Sequence, residues 1–484
     1  MVLSTVFLAF PLFASSSPEG VSRWLDGYAS RPAAESALAV LGGLGGLEEP
    51  EQEIARFLLA GDFAELGLST LAIDAFRSLR DSGNLAGAAF VGVVRVHADG
   101  DEHERLYHFA RRGAWRELEQ DDAAEVAFRV ARACFATSRY PEARLWLSEV
   151  PDDSSWYPFG RYLLAQTEYA LGRYGRAIEA AAPIFSAREP ADAIGPLRER
   201  TAVLLGNMMT EIGMYREAVE LLSWPGPDSP WKERAERDRL VAHGLAALQD
   251  ARFDRAERLT ADVARLLDGA VSAVERSVAS EADVGKRLED LRGSWPSVAL
   301  RGARSAWTAA HARRALDRVE GFGFRKVFAA AWASLPPVLL YRLFRRDGDV
   351  VPPAVAVGEE SRFFFAPSGE VSRVLTAAAL VEESRTRDCG AREAAALRTH
   401  AAAALLGITA PPRLGDVEAI AGGCGRGAVT GLGPVVHERL LHAIGEDARR
   451  LRRDLRSQRY ALDEAVARAR VDFGKAARAA EGSR

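Results

Sequence analysis

A short pattern returns four times along this 484-residue chain, and it leaves little room for any fold except paired helices. SRYPEARLWL from Ser138, GRYGRAIEAA from Gly172, GMYREAVELL from Gly213 and ARFDRAERLT from Ala251 each place an aromatic residue three positions before an alanine. The aromatics are Tyr140, Tyr174, Tyr215 and Phe253, and the alanines are Ala143, Ala177, Ala218 and Ala256. Nine residues ahead of each aromatic stands a small residue: Ala131, Ala165, Gly206 or Gly244. Self-similarity at such a period marks a repeat array. Two antiparallel helices joined by a tight turn approach closely only where small residues allow it, and an aromatic at the turn fills the gap. One pair cannot bury its apolar face alone, so pairs must stack. Between the turns, apolar residues recur at spacing three and four, as in Val126, Ala127, Val130, Ala131 and Cys134, which is helical periodicity. Strand signals are few.

The pattern resembles the tetratricopeptide repeat (TPR) family over residues 121–267. The family unit is about 34 residues. The step from Tyr140 to Tyr174 matches it, and the two later steps are somewhat longer. The family's Trp near the unit start and its strict Pro at the unit end are missing. The resemblance implies an all-α fold: a TPR-like α-α superhelical solenoid, with additional C-terminal helices and a long terminal helix. It also implies a concave surface lined by the first helix of each unit. Carried over unit by unit, that surface is Phe128, Arg132 and Phe135, then Tyr162, Gln166 and Tyr169, then Val203, Asn207 and Thr210, then Val241, Leu245 and Leu248. The partner-binding groove is expected at Phe128, Arg132, Phe135, Tyr162, Gln166, Tyr169, Asn207 and Thr210. Phe128, Phe135 and Tyr162 equally suit packing between repeats, and the sequence leaves that choice open.

The remaining chain reads as flanking segments. Residues 17–120 are helical with divergent repeats, one around Phe63 in LLAGDFAELGL and one around Trp115 in RRGAWRELE. After the repeats at 121–268 come a helical extension at 269–348, a mixed helix and loop region at 349–433, and a long helix at 434–484. Within the mixed region, 350–369 reads as a loop or short hairpin, 377–407 as helix and 415–434 as a Gly-rich connector. In the last segment Ile444, Ala448, Leu451, Leu455, Leu462 and Ala469 stand near heptad positions.

Residues 1–14, MVLSTVFLAFPLFA, carry no charge and have the length of a signal-peptide core. Small residues follow, so residues 1–16 are expected to be a signal peptide cleaved before Ser17. That predicts an exported protein of the bacterial periplasm or envelope. No Lys or Arg precedes the core, and the alternatives are an upstream start or a buried helix in a cytoplasmic protein. In an oxidising compartment a disulfide between Cys389 and Cys424 is expected. Each lies beside a glycine, on either side of a helical segment, and the loop closed would contribute about 3–4 kcal/mol. Cys134 would be the odd, buried thiol.

Little else suggests chemistry. The net charge is -4, and the 59 Arg are interspersed with Asp and Glu, so no nucleic-acid partner is expected. No cofactor, metal or catalytic residue is assigned. GGCGRGAVTGLG at Gly422 lacks phosphate-cradle spacing. His437-Glu438 and His442 imitate a zinc-protease helix, but the second His falls one residue late, about 140° around the helix from the first. Asp99, Asp101 and Glu102 near His97 and His103 read as a solvated loop. The apolar run at 327–343 is interrupted by Pro336-Pro337, so no stable membrane span is expected in the mature chain. The reading reached is a non-enzymatic scaffold or adaptor that holds a protein or peptide partner. Its alternatives are an enzyme with a catalytic region in 350–434 and a cytoplasmic TPR regulator.

Overall fold

The computed structural model describes residues 33–47, 49–83, 85–186, 191–227, 231–249, 261–269, 392–423 and 432–481, with a few single positions such as Tyr28 and Thr308. Among the described residues the regular structure is helical, with no strand. In chain order the helices are α1 (Ala33–Gly43), α2 (Glu49–Glu65), α3 (Ser69–Arg77), α4 (Ala86–Asp99), α5 (His103–Arg112), α6 (Gln120–Ala136), α7 (Tyr140–Leu147) and α8 (Tyr157–Ala170). They continue as α9 (Tyr174–Ser186), α10 (Ala191–Glu211), α11 (Tyr215–Leu222), α12 (Lys232–Gln249), α13 (Arg392–Leu405), α14 (Leu414–Ala421) and α15 (Leu432–Glu481).

Contacts divide the chain into two compact units. One comprises Met1–Tyr157 with Asp290–Ala443, the other Pro158–Glu289 with Ile444–Arg484. The division falls inside the segment 121–268. In the first unit, helices pair as α2–α3, α4–α5 and α6–α7. The second helices α3 and α5 also pack on the first helix of the next pair, and α2, α4 and α6 touch in series. The second unit repeats this scheme: α10 packs on α11 and α12, and α9 packs on α10.

One turn builds the hairpins. A left-handed residue recurs among the described residues where a first helix gives way to a second: Gly67 (φ +75°), Asp101 (+53°), Ser138 (+59°), Gly172 (+71°) and Gly213 (+82°). These turns extend the period of the tyrosine pattern upstream into the first two pairs. The backbone hydrogen bonds are those of a Schellman motif. The N–H after the left-handed residue reaches five residues back, as in Leu68 to Phe63, Glu102 to His97, Arg139 to Cys134, Arg173 to Glu168 and Met214 to Met209. That same residue then offers its carbonyl to the first bond of the next helix. The donors to it are the N–H groups of Ala72, Leu106, Ala143, Ala177 and Ala218, and all of these side chains are fully buried. The backbone thus caps both helices, and no side chain caps the start of α3, α5, α7 or α11. Opposite this column Gly206 of α10 shows how near the helices come: a Cβ there would lie 2.5 Å from Leu222 Cγ.

A second device ties one pair to the next. Ser82 Oγ donates to Glu53 of α2 (2.6 Å) and accepts from Leu85 N–H (3.3 Å). Ser154 Oγ donates to Asp121 of α6 (2.9 Å) and accepts from Trp156 N–H (3.1 Å). Ser229 Oγ donates to Glu199 of α10 (2.6 Å) and accepts from Trp231 N–H (3.1 Å). In each case a carboxylate on a first helix holds the serine that starts the next one.

Several expectations are corrected or fall elsewhere. The upstream hairpin turn is at Asp101, whereas Trp115 lies in a short 3-10 turn between α5 and α6, buried and tilted against Trp146 at 4.9 Å. The Gly-rich stretch 415–434 is not a plain connector. Its first half is α14, because Val417 and Ile420 bury one face and Asp416 accepts the Arg413 N–H at 2.8 Å. Residues 1–16, 327–343 and 350–369, the pair Cys389 and Cys424, and the repeat turn at Phe253 all lie outside the described residues. In the first unit α13 and α14 pack on α1. There Arg398 is almost fully buried, with Glu35 Oε1 4.0 Å from its Nη1.

Candidate functional site

In the first unit, α6 carries charge inward. Glu125 and Arg129 are 2% and 3% exposed. One turn apart, they share a 2.6 Å hydrogen bond from Arg129 Nε to Glu125 Oε1. The other Glu125 oxygen accepts from Arg95 Nη2 of α4, also at 2.6 Å. Arg129 Nη1 stands 3.8 Å from Asp99, and its guanidinium lies 5.7 Å from the Trp156 ring centre. Such a chain of alternating charge repays desolvation only because each member is held by the next. Beside it Ala98, His103, Leu106, Arg129, Arg132 and Ala133 line a cavity of about 10 Å³, the room of one water. Burial pushes the His103 imidazole down and Arg132 adds to the shift, while Asp101 and Glu104 oppose it. The neighbouring His97 is buried, with Nδ1 2.6 Å from Glu102 Oε2.

The second unit uses neutral hydroxyls at comparable places. Arg200 of α10 donates its Nε to Tyr162 Oη of α8 at 2.7 Å. The same guanidinium lies 5.2 Å from the Tyr162 ring centre and 4.8 Å from that of Trp231. Burial lowers the Arg200 pKa and raises that of Tyr162, and each partner's presence opposes the other's shift. Near the Gly172 turn, Tyr169 and Tyr174 both donate to the Glu211 carboxylate of α10, with rings edge to face at 5.8 Å. Asp238 of α12 is pushed up by burial, opposed by Arg234, Arg237 and Asn207.

The residues expected in a groove therefore divide. In the first unit Phe128 is interior, 5.2 Å from Trp156, and Phe135 meets the turn aromatic Tyr140 edge to face at 5.4 Å. In the second unit Tyr162 is buried, Tyr169 is bound to Glu211, and Thr210 donates to the Gly206 carbonyl within its own helix (2.9 Å). Phe128 and Tyr162 thus hold helices together and present no free face. Arg132, Gln166 and Asn207 remain partly exposed on α6, α8 and α10. Sequence reasoning misses the aromatic pairs bracketing the turns, although Phe135–Tyr140 and Tyr169–Tyr174 share one spacing. It also misses the Ser-x-Trp segments at Ser154 and Ser229, a repeated signal that could have found the serine ties.

Among the described residues no group of three or more His, Cys, Asp or Glu could hold a metal ion. None of their helices is long and apolar enough to cross a membrane. Cys134 is buried and free, and burial pushes its thiol up to about 12; at neutral pH it is a packed thiol, not a nucleophile. No protein-family model matches this chain, and no curated protein is significantly similar to it.

Proposed function

We propose that the protein is a non-enzymatic scaffold or adaptor that captures a protein or peptide partner along the first helices of a TPR-like solenoid, exported to the bacterial envelope. The observation that carries this reading is the recurrence of one hairpin turn whose backbone stays constant while the adjoining first helices carry different polar residues. Arg132, Gln166 and Asn207 occupy corresponding places on α6, α8 and α10 and differ in charge and in hydrogen-bonding character. A constant frame bearing a variable face suits recognition of an extended chain, whose backbone offers donors and acceptors at regular intervals. Arginine adds a residue type that often dominates interfaces. The fold alone is weak ground for function, so the test bears on the residues. Arg132, Gln166 and Asn207 are replaced together by Ala, and capture from envelope extracts is compared with the wild type. Loss of partners with unchanged helicity and melting supports the reading; full retention refutes it. N-terminal sequencing of the mature chain tests export, and an intact Met1 on cytoplasmic protein counts against it.

A further inference from the structure

The first helix pair holds a carboxyl group that neither the hairpin turn nor the serine ties require. Asp62 stands on α2, 2% exposed. Its Oδ2 has no hydrogen-bond partner. Among the described residues, the groups that act on it are the Ser36 hydroxyl of α1, the Tyr28 hydroxyl from the segment before α1, and Glu65 further along α2, and none of these is a cation. Where α13 packs on α1, Arg398 Nη1 lies 4.0 Å from Glu35 Oε1. A carboxylate so buried carries a desolvation penalty, and the one Tyr28 hydroxyl proton goes to the Leu58 carbonyl. Burial therefore pushes the carboxyl well above the usual carboxylate range. Glu65 adds in the same direction, and Ser36 and Tyr28 oppose.

We propose that Asp62 is a proton-operated latch on the N-terminal helix: as the neutral acid it lets α1 and Tyr28 close on α2, and its ionisation lifts them off. The seam suits release. The buried face of α1 is Ala33, Ala34, Ser36, Ala37, Leu38 and Val40, mostly small side chains with little apolar area to hold it shut. Tyr28 sits close: its Oη donates to the Leu58 carbonyl at 3.0 Å, and a Cβ on Gly61 would lie 3.1 Å from that oxygen. Tyr28 is itself pushed well above its ordinary value, by burial first and then by Asp62. An acid whose folded-state pKa is raised supports the closed seam at low pH. That support is lost as pH rises through the folded-state value.

Hydrogen–deuterium exchange on the full chain tests this between about pH 5 and about pH 10. Amides of α6 in the same unit serve as internal reference, after correction for intrinsic chemical rates. The exchange of α1 relative to α6 is expected to rise by up to tenfold per pH unit while the carboxyl is ionised only in the open state, and to level off once it ionises in the closed state as well. In Asp62→Asn the ratio stays flat, and in Tyr28→Phe the rise persists. A constant ratio in the wild type overturns the latch, and that measurement needs no variant to fold. An equal rise in Asp62→Asn, or loss of the rise in Tyr28→Phe, overturns it as well.

Discussion

Helices α6 and α10 are built on the same plan and filled with different chemistry. Each ends in a left-handed turn residue, Ser138 or Gly213, and each holds the next serine through a carboxylate, Asp121 or Glu199. Yet α6 buries an alternating charge chain with α4, whereas α10 meets α8 through tyrosine hydroxyls, with Arg200 resting on Tyr162 and Glu211 accepting from Tyr169. The backbone devices repeat because helix geometry permits few ways to reverse direction within so short a turn. The faces between helices are free to differ, because packing and charge pairing are alternative ways of filling one gap.

Breaking the charge chain is expected to have the largest effect. Glu125→Ala leaves Arg95 and Arg129 inside without their shared acceptor, a loss of about 3–5 kcal/mol. The matching change in the second unit, Tyr162→Phe, keeps the ring under Arg200 and removes one charge-assisted bond, about 1.5–3 kcal/mol. Urea unfolding of both variants checks the ranking, and equal losses would erase the contrast. Next comes Gly206→Ala, whose methyl group must displace Leu222, at about 1–3 kcal/mol in thermal melts.

The turns permit a finer test. At Gly213 an added methyl group meets no neighbouring atom, so the expected loss of about 1 kcal/mol in Gly213→Ala is backbone strain alone. Ser138→Gly relieves the same strain and is expected to stabilise by a few tenths of a kcal/mol, since glycine's greater unfolded-state freedom offsets part of the gain. The serine ties are expected to be equivalent. Ser154→Ala and Ser229→Ala should each lose about 1 kcal/mol, and unequal losses in the same melts would show that the two differ.

The central hairpins are legible in the sequence because their signal is steric. Tyr140, Tyr174 and Tyr215 with Ala143, Ala177 and Ala218 mark places where only a small residue fits. The upstream hairpins are blurred because Ser69 and His103 stand where the pattern has its aromatic, and Leu106 where it has its alanine. Their turns rest on backbone bonds that any side chain tolerates, and a left-handed Asp101 carries no glycine to announce it. The expected groove residues are less legible. Whether Phe128 and Tyr162 face a ligand or a neighbouring helix depends on Trp156 and Arg200, which belong to the start of the next pair. Helix α14 is hidden because its flanking glycines outweigh the apolar pair Val417 and Ile420.

The placement of α13 on α1 has a consequence for how the chain folds. Each hairpin joins residues only a few turns apart, which favours rapid local assembly. The pair Glu35 and Arg398, in contrast, brings together segments from either side of the whole series of hairpins. Closing so long a loop carries about 2 kcal/mol more chain entropy than closing one of repeat length. The seam between α1 and α13 is therefore expected to form after the hairpins that lie between its two halves in the sequence. Its completion would mark the end of the first unit's folding, with α1 waiting, made but uncovered, for a segment translated long after it.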